Sequence, residues 1–182
     1  LILEGERLDL RADLSALDTA VDADDAAEQA DAPRALSLRA SVVNDAWTHR
    51  FGSAQHQINH PALGADLSLA WSANIGQGDT RKQRITADPV VAGGTIFTLD
   101  SAATVTATSS NGATLWQRDL TPASDRSGDA SGGGLAVAGD TLFVTSGFSA
   151  LTAIDVATGE TRWSQDLDAP TSGAPTVADG IV

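Results

Sequence analysis

The chain contains no cysteine, which excludes an internal disulfide framework and any Cys-based zinc site, though it fixes no redox compartment. Basic residues are scarce: 11 Lys and Arg stand against 24 Asp and Glu, a formal net charge of −13. Phosphate neutralisation by clustered Lys and Arg supplies most non-specific nucleic-acid affinity, so a polyanion partner is excluded on charge. No run of ~18 apolar residues could span a bilayer, and no basic stretch followed by an apolar one opens the chain as a leader would. Sustained 3.6-residue periodicity is missing between Pro89 and Val182, which argues against helical repeats there.

Three tryptophans, Trp71, Trp116 and Trp163, recur at intervals of 45 and 47 residues. The last two close a repeated pattern of short apolar runs and glycine turns. Pro89 to Leu120 aligns with Gly134 to Leu167, the second copy carrying one extra residue before its second turn, and a third copy begins at residues 174–182. Self-similarity at ~40–45 residues with about four strands per unit marks a propeller blade. Hairpin turns need positive φ, which Gly, Asn and Asp tolerate best. Gly93-Gly94, Gly139-Asp140 and Asp179-Gly180 fall between the first two strands of the copies; Asn111-Gly112 and Thr158-Gly159 fall before the tryptophan strand. TIFTL, TVTAT, TLFVT and LTAID between them are β-branched and aromatic. Their apolar residues fall on both parities, which predicts sheets covered on both faces, as stacked blades are.

The fold class is therefore all-β, a partial propeller of four-stranded blades. Residues 89–120 are expected as the first blade, 134–167 as the second and 174–182 as the start of a third. Residues 67–76 resemble the strand that ends each copy without the strands that should precede it, and are expected to complete the last blade of the closed ring. Residues 41–66 are an irregular lead-in. Residues 1–40 form an acidic tether: residues 1–33 alone carry net −8, a composition that favours disorder or a loose helix. Closed rings need ~4–8 blades, and the chain starts at Leu1 rather than methionine, so it reads as the N-terminal part of a longer protein whose exposed blade faces favour association.

Several residues invite a site and carry a plainer reading. His56 and His60 share helical spacing for a metal, but Pro61 disfavours a helix there and no carboxylate lies between Ala46 and Gly64. The glycine-rich stretch 131–137 leads into a strand and lacks the Lys of a phosphate loop, which leaves an inter-blade connection. Asp125 and Asp129 miss the alternating acidic pattern of a calcium loop. Carboxylates such as Asp100 and Asp155 sit at strand ends as turn formers. A tryptophan required by every copy serves blade packing rather than one ligand platform; Trp47 alone lies outside the repeat, where a carbohydrate-binding propeller would need its aromatics. No catalytic, cofactor or metal residue is assigned, and the structural set is Trp71, Trp116, Trp163, Gly93, Gly112, Gly139, Gly159 and Asp155.

Ala153, Asp155, Thr158, Gly159 and Trp163 match the repeat of the pyrroloquinoline-quinone-like propeller superfamily position by position; the earlier copy keeps Ala107, Gly112 and Trp116 and has Ser109 in place of Asp. Within it, the ILEGERLDLR opening, the Trp- and His-containing lead-in, PVVAGGTIFTLD and SGGGLAVAGDTLFVTSG resemble the BamB family of outer-membrane assembly factors, in its alphaproteobacterial forms. The resemblance implies an eight-bladed periplasmic ring, held at the outer membrane by an acylated cysteine upstream of Leu1. It also implies a non-enzymatic scaffold binding BamA and other outer-membrane assembly proteins, with no cofactor and no small-molecule substrate. The same repeat occurs in quinoprotein alcohol dehydrogenases, where a carboxylate base and a bound quinone would oxidise an alcohol. A shared fold is weak evidence for either activity.

Overall fold

The computed structural model describes residues 36–182, so the tether expected over residues 1–40 lies outside the described residues except for its exposed last five. All the regular structure described below lies within Ala40–Val182.

Eight strands form two four-stranded antiparallel sheets, each a simple meander. The first comprises β1 (Val90–Ala92), β2 (Thr95–Leu99), β3 (Thr104–Ser109) and β4 (Thr114–Asp119); the second comprises β5 (Gly133–Ala138), β6 (Thr141–Ser146), β7 (Ala150–Asp155) and β8 (Thr161–Asp166). The repeats seen in the sequence fold alike, down to backbone detail. Ala103 and Ser149 occupy the same place in the β2–β3 and β6–β7 turns and both have positive φ, 64° and 58°. Each last hairpin slips register at the same point, after Ala107 and after Ala153. The extra residue of the second copy lies within its turn, Asp155 to Glu160 replacing the shorter Ser109 to Ala113.

Two chemical solutions close that turn. Asp155 accepts hydrogen bonds from the N–H groups of Ala157 and Thr158 and from the Thr158 hydroxyl. Ser109 Oγ instead accepts from the N–H of Ala113 and donates to Asn111. A serine with a neighbouring asparagine thus replaces the aspartate of the second copy.

The core lies between the sheets. Val90, Phe97, Leu99, Val105 and Ala107 of the first sheet pack with Leu135, Val137, Leu142, Val144 and Ile154 of the second. Consecutive residues of β3 and β5 are buried, so both faces of these strands are covered, whereas β8 is exposed along its whole length. Burial of each large apolar side chain contributes about 1.5–3 kcal/mol, and here it is realised by face-to-face stacking of sheets.

Residues 67–76 form no strand here; the last blade that they are expected to complete is not part of this chain. Residues 75–78 are tied to β3 and to the turn before it through side chains. Thr106 Oγ1 donates to the carbonyl of Ile75 at 3.2 Å, Ser101 Oγ donates to that of Gly78 at 2.8 Å, and the N–H of Gln77 donates to Asp100 at 2.7 Å. In the third copy, Ala178 bridges Ile181 across the Asp179–Gly180 turn, with no further strand pairing.

Candidate functional site

Two places combine close geometry with chemistry: the seams where a tryptophan meets the next sheet, and a loop across the free edges of the first strands.

Each seam starts from a small residue. In the first sheet Phe97, Ala107 and Trp116 stand side by side on three adjacent strands; in the second, Phe143, Ala153 and Trp163 do the same. The alanine methyl leaves room for the flanking rings to lean together, with centroids 5.8 Å apart for Phe97 and Trp116 and 5.9 Å for Phe143 and Trp163. Such tilted pairs add about 0.5–1.5 kcal/mol beyond their burial.

The outer face of each indole then meets the turn of the following repeat. Trp116 Nε1 donates to the carbonyl of Val156 at 3.0 Å, and Arg118 Nε donates to that of Gly159 at 2.7 Å. The ring lies so close to Gly159 that a Cβ there would come within 2.6 Å of it. Trp71 repeats the arrangement one blade earlier: Nε1 donates to the carbonyl of Ser110 at 2.8 Å, and a Cβ on Gly112 would sit 3.0 Å from the indole. Trp71 therefore bears to the first sheet the relation that Trp116 bears to the second. Trp163 has no following turn among the described residues and is 43% exposed. Gly112 and Gly159 combine positive φ, 87° and 72°, with this close approach, so glycine is required twice over. Gly93 and Gly139 also have positive φ but open space around them, and serve their hairpins alone.

Asp155 lies on the other side of its turn. Arg162 reaches it at 2.6 Å and Asp140 at 2.8 Å. The Arg162 guanidinium, then the Thr158 N–H, holds the Asp155 carboxyl down to about 2, and the same guanidinium lowers Asp140. Asp100, 4% exposed, accepts from the N–H groups of Gln77, Ala102 and Thr104. Both carboxylates are committed to backbone donors or a guanidinium. The glycine stretch at 131–137 places Gly134 against Ala174, where a Cβ would lie 2.2 Å from the Ala174 Cα. Asp125 and Asp129 sit in successive turns, Asp129 accepting from the N–H of Arg126. Both ring nitrogens of His56 are hydrogen-bonded, Nδ1 to the carbonyl of Arg50 at 3.0 Å and Nε2 to the Thr176 hydroxyl at 2.9 Å. Among the described residues no group of three His, Cys, Asp or Glu side chains converges as a metal donor set.

The lead-in contains the arrangement that sequence reasoning missed. Residues 42–62 form a loop closed at its base, where Val42 N donates to His60 and Ala62 N donates to Val42. Its tip carries Trp47, Thr48 and His49, one for each repeat. Trp47 exchanges two backbone hydrogen bonds with Val91, both 2.8 Å. Thr48 accepts from the N–H of Val137 at 2.8 Å. His49 accepts from the N–H of Val177 through Nε2 at 3.1 Å. Val91, Val137 and Val177 are the same position in the three copies, two residues before the start of each first hairpin turn. In β1 and β5 they present the edge opposite β2 and β6, the edge that faces the axis in a propeller. The loop thus covers strand edges that would otherwise be left unpaired. Aligning the three valines could have pointed to a common partner; nothing in the sequence names His49 as one.

Residues 101–182 match the family model described as outer membrane protein assembly factor BamB. No curated protein sequence matches the chain. Among solved structures, a quinohemoprotein alcohol dehydrogenase from Comamonas testosteroni is similar at 27% identity and TM-score 0.61, over 77% of this chain and 23% of that one. The quinohemoprotein alcohol dehydrogenase ADHIIG from Pseudomonas putida HK5 is similar at 24% identity and TM-score 0.60, over 80% and 25%. BamB from Moraxella catarrhalis is matched at 16% identity and TM-score 0.38, over 48% and 26%. The chain spans about a quarter of the length of these structures. Its fold is that of the pyrroloquinoline-quinone-like β-propellers.

Proposed function

We propose that this chain is part of a non-enzymatic periplasmic scaffold of the outer-membrane β-barrel assembly machinery, with BamA as its partner and a lipid anchor upstream of Leu1. The match of residues 101–182 to the BamB family model carries the reading. The carboxylates support it: Asp100 accepts three backbone N–H groups, and Asp155 is bound by two N–H groups and Arg162. The Asp155 carboxylate, held low by Arg162, is stabilised as the anion and makes a poor general base. Short turns on stacked sheets suit the presentation of a fixed surface to partner domains.

The likeness to the Comamonas testosteroni enzyme favours a second reading, a portion of a quinone-dependent alcohol dehydrogenase. When bound, a quinone would supply the hydride acceptor for such a reaction.

Two measurements on the full-length protein separate the readings. Capture from gently solubilised membranes is expected to recover BamA, and the purified protein is expected to lack both a quinone absorbance band and alcohol-driven dye reduction. Loss of BamA under conditions that keep its other contacts, or a quinone band with dye reduction, overturns the scaffold.

A further inference from the structure

The tip of the 42–62 loop uses two kinds of hydrogen bond. Its ties to the first and second repeats run from backbone to backbone, at Val91 and Val137, and carry no titratable atom. Its ties to the third repeat run through imidazoles, His49 to Val177 and His56 to Thr176.

The two imidazoles differ in what protonation does to them. Val177 N–H can only donate, so His49 Nε2 must be unprotonated and the ring proton lies on Nδ1, which donates to Thr48 Oγ1 at 2.9 Å. His56 Nδ1 donates to the carbonyl of Arg50, and its Nε2 faces a hydroxyl that can accept as well as donate. Thr176 can turn to receive a proton from His56; Val177 cannot receive one from His49. Only His49 loses its bond when it gains a charge.

We propose that His49 makes the 42–62 loop an acid-releasable latch: its neutral imidazole holds Val177 of the third repeat, and protonation breaks that bond while Thr176 stays tied to His56 and the first two repeats stay tied through backbone. The site is built for this. His49 is 4% exposed, so its cationic form would lose water without gaining an acceptor at Nε2. Titratable or charged groups on the packed elements are Asp45, Arg50, His56 and His60 on the loop, Asp88 before β1 and Asp179 beyond Val177. Asp88 is engaged by Arg50 at 3.2 Å; β1, β5 and residues 174–178 carry no titratable side chain. Burial is the largest cause holding the His49 imidazole below its ordinary value; the Val177 contact acts in the opposite direction and the charge of His56 lowers it further. For a base held low in the fold, the stabilisation is complete above the unfolded value of 6.5 and fades as pH falls toward the folded one.

The three reporter groups are all valine amides, which makes the test direct. Full-length protein labelled with 15N-valine is followed by amide hydrogen exchange at pH 7.5 and pH 5, each rate corrected for intrinsic exchange. Val177 is expected to lose protection by roughly tenfold on acidification, the scale of one lost buried hydrogen bond, while Val91 and Val137 keep theirs. In His49→Gln, whose carboxamide does not titrate, Val177 protection is expected to be independent of pH. Unchanged Val177 protection in the wild type, a parallel fall at all three valines, or an acid-induced fall in His49→Gln equal to the wild type's overturns the latch. Should that variant fail to fold, the ring-nitrogen shifts of wild-type His49 decide: a protonated Nε2 at pH 7.5 overturns it.

Discussion

Replacing Gly159 by alanine tests the seam directly, and the size of the effect follows from two separable terms. The backbone φ of 72° lies in the left-handed region, which costs an L-residue about 1–2 kcal/mol. The added Cβ would also approach the Trp116 ring to 2.6 Å, so the indole must move from its bond to Val156 and its stack on Phe97; overpacking of this kind costs about 1–3 kcal/mol. Gly93 supplies the control, since its φ is 56° and nothing lies within 4 Å of a Cβ built there. Gly93→Ala should therefore cost the backbone term alone, about 1–2 kcal/mol, and Gly159→Ala about 2–5 kcal/mol. Gly112→Ala should fall between them, because its nearest contact, to Trp71, is 3.0 Å. Urea unfolding of the full-length protein, followed by tryptophan fluorescence and read as midpoint shifts at constant slope, measures all three. A Gly93 variant as damaging as the Gly159 variant would refute the argument that indole contact sets the cost.

Ala153→Leu should destabilise by about 1–3 kcal/mol, because the alanine is fully buried in line between Phe143 and Trp163; a neutral midpoint in the same unfolding assay would contradict the ring-over-alanine packing. Asp100→Ala should cost about 2–4 kcal/mol by removing the acceptor of three N–H groups in a buried site, and faster exchange of the Gln77 amide should accompany it. Asp155, held near 2 against 3.8 when unperturbed, stabilises the fold above about pH 4 and loses that contribution as pH falls toward 2. The stability gap between wild type and Asp155→Asn should accordingly narrow between pH 5 and pH 2.5 in acid unfolding, and a constant gap would assign the Arg162 contact no role. Since Trp71 meets Gly112 as Trp116 meets Gly159, residues 67–71 should become a paired strand in the full-length ring. Protected amides at Leu69 and Trp71 are the expected observation, and rapid exchange there would sink the proposal that they complete the last blade.

The two sheets were legible because their signals are local. Glycine pairs mark the hairpins, β-branched runs mark the strands, and the tryptophan interval carries the repeat. The role of each tryptophan was legible only in outline. That the indole packs between blades follows from its presence in every copy, but its target, the glycine of the next copy's last turn, depends on how successive sheets stack. The same limit applies to residues 67–76. Their apolar pattern matches the outer strand of a blade, yet pattern does not supply a neighbour, and the side chains of Asp100, Ser101 and Thr106 tie only the backbone of residues 75–78.

The axial loop was hidden for a different reason. Its contacts with the three repeats use main-chain atoms, two imidazoles and the Arg50–Asp88 pair, so composition leaves little trace of them, and helical spacing drew attention to His56 and His60 instead of His49. A backbone N–H on a free edge donates to any carbonyl that reaches it, so the ties at Trp47 and Thr48 call for no particular side chain. At Val177 the loop offers a side-chain nitrogen in place of a carbonyl. That single exchange turns a contact indifferent to pH into one that depends on a proton, and it places the only titratable tie among the three valines at the third repeat. The third repeat is then the one whose attachment to the loop can be loosened without disturbing the core between the first two sheets.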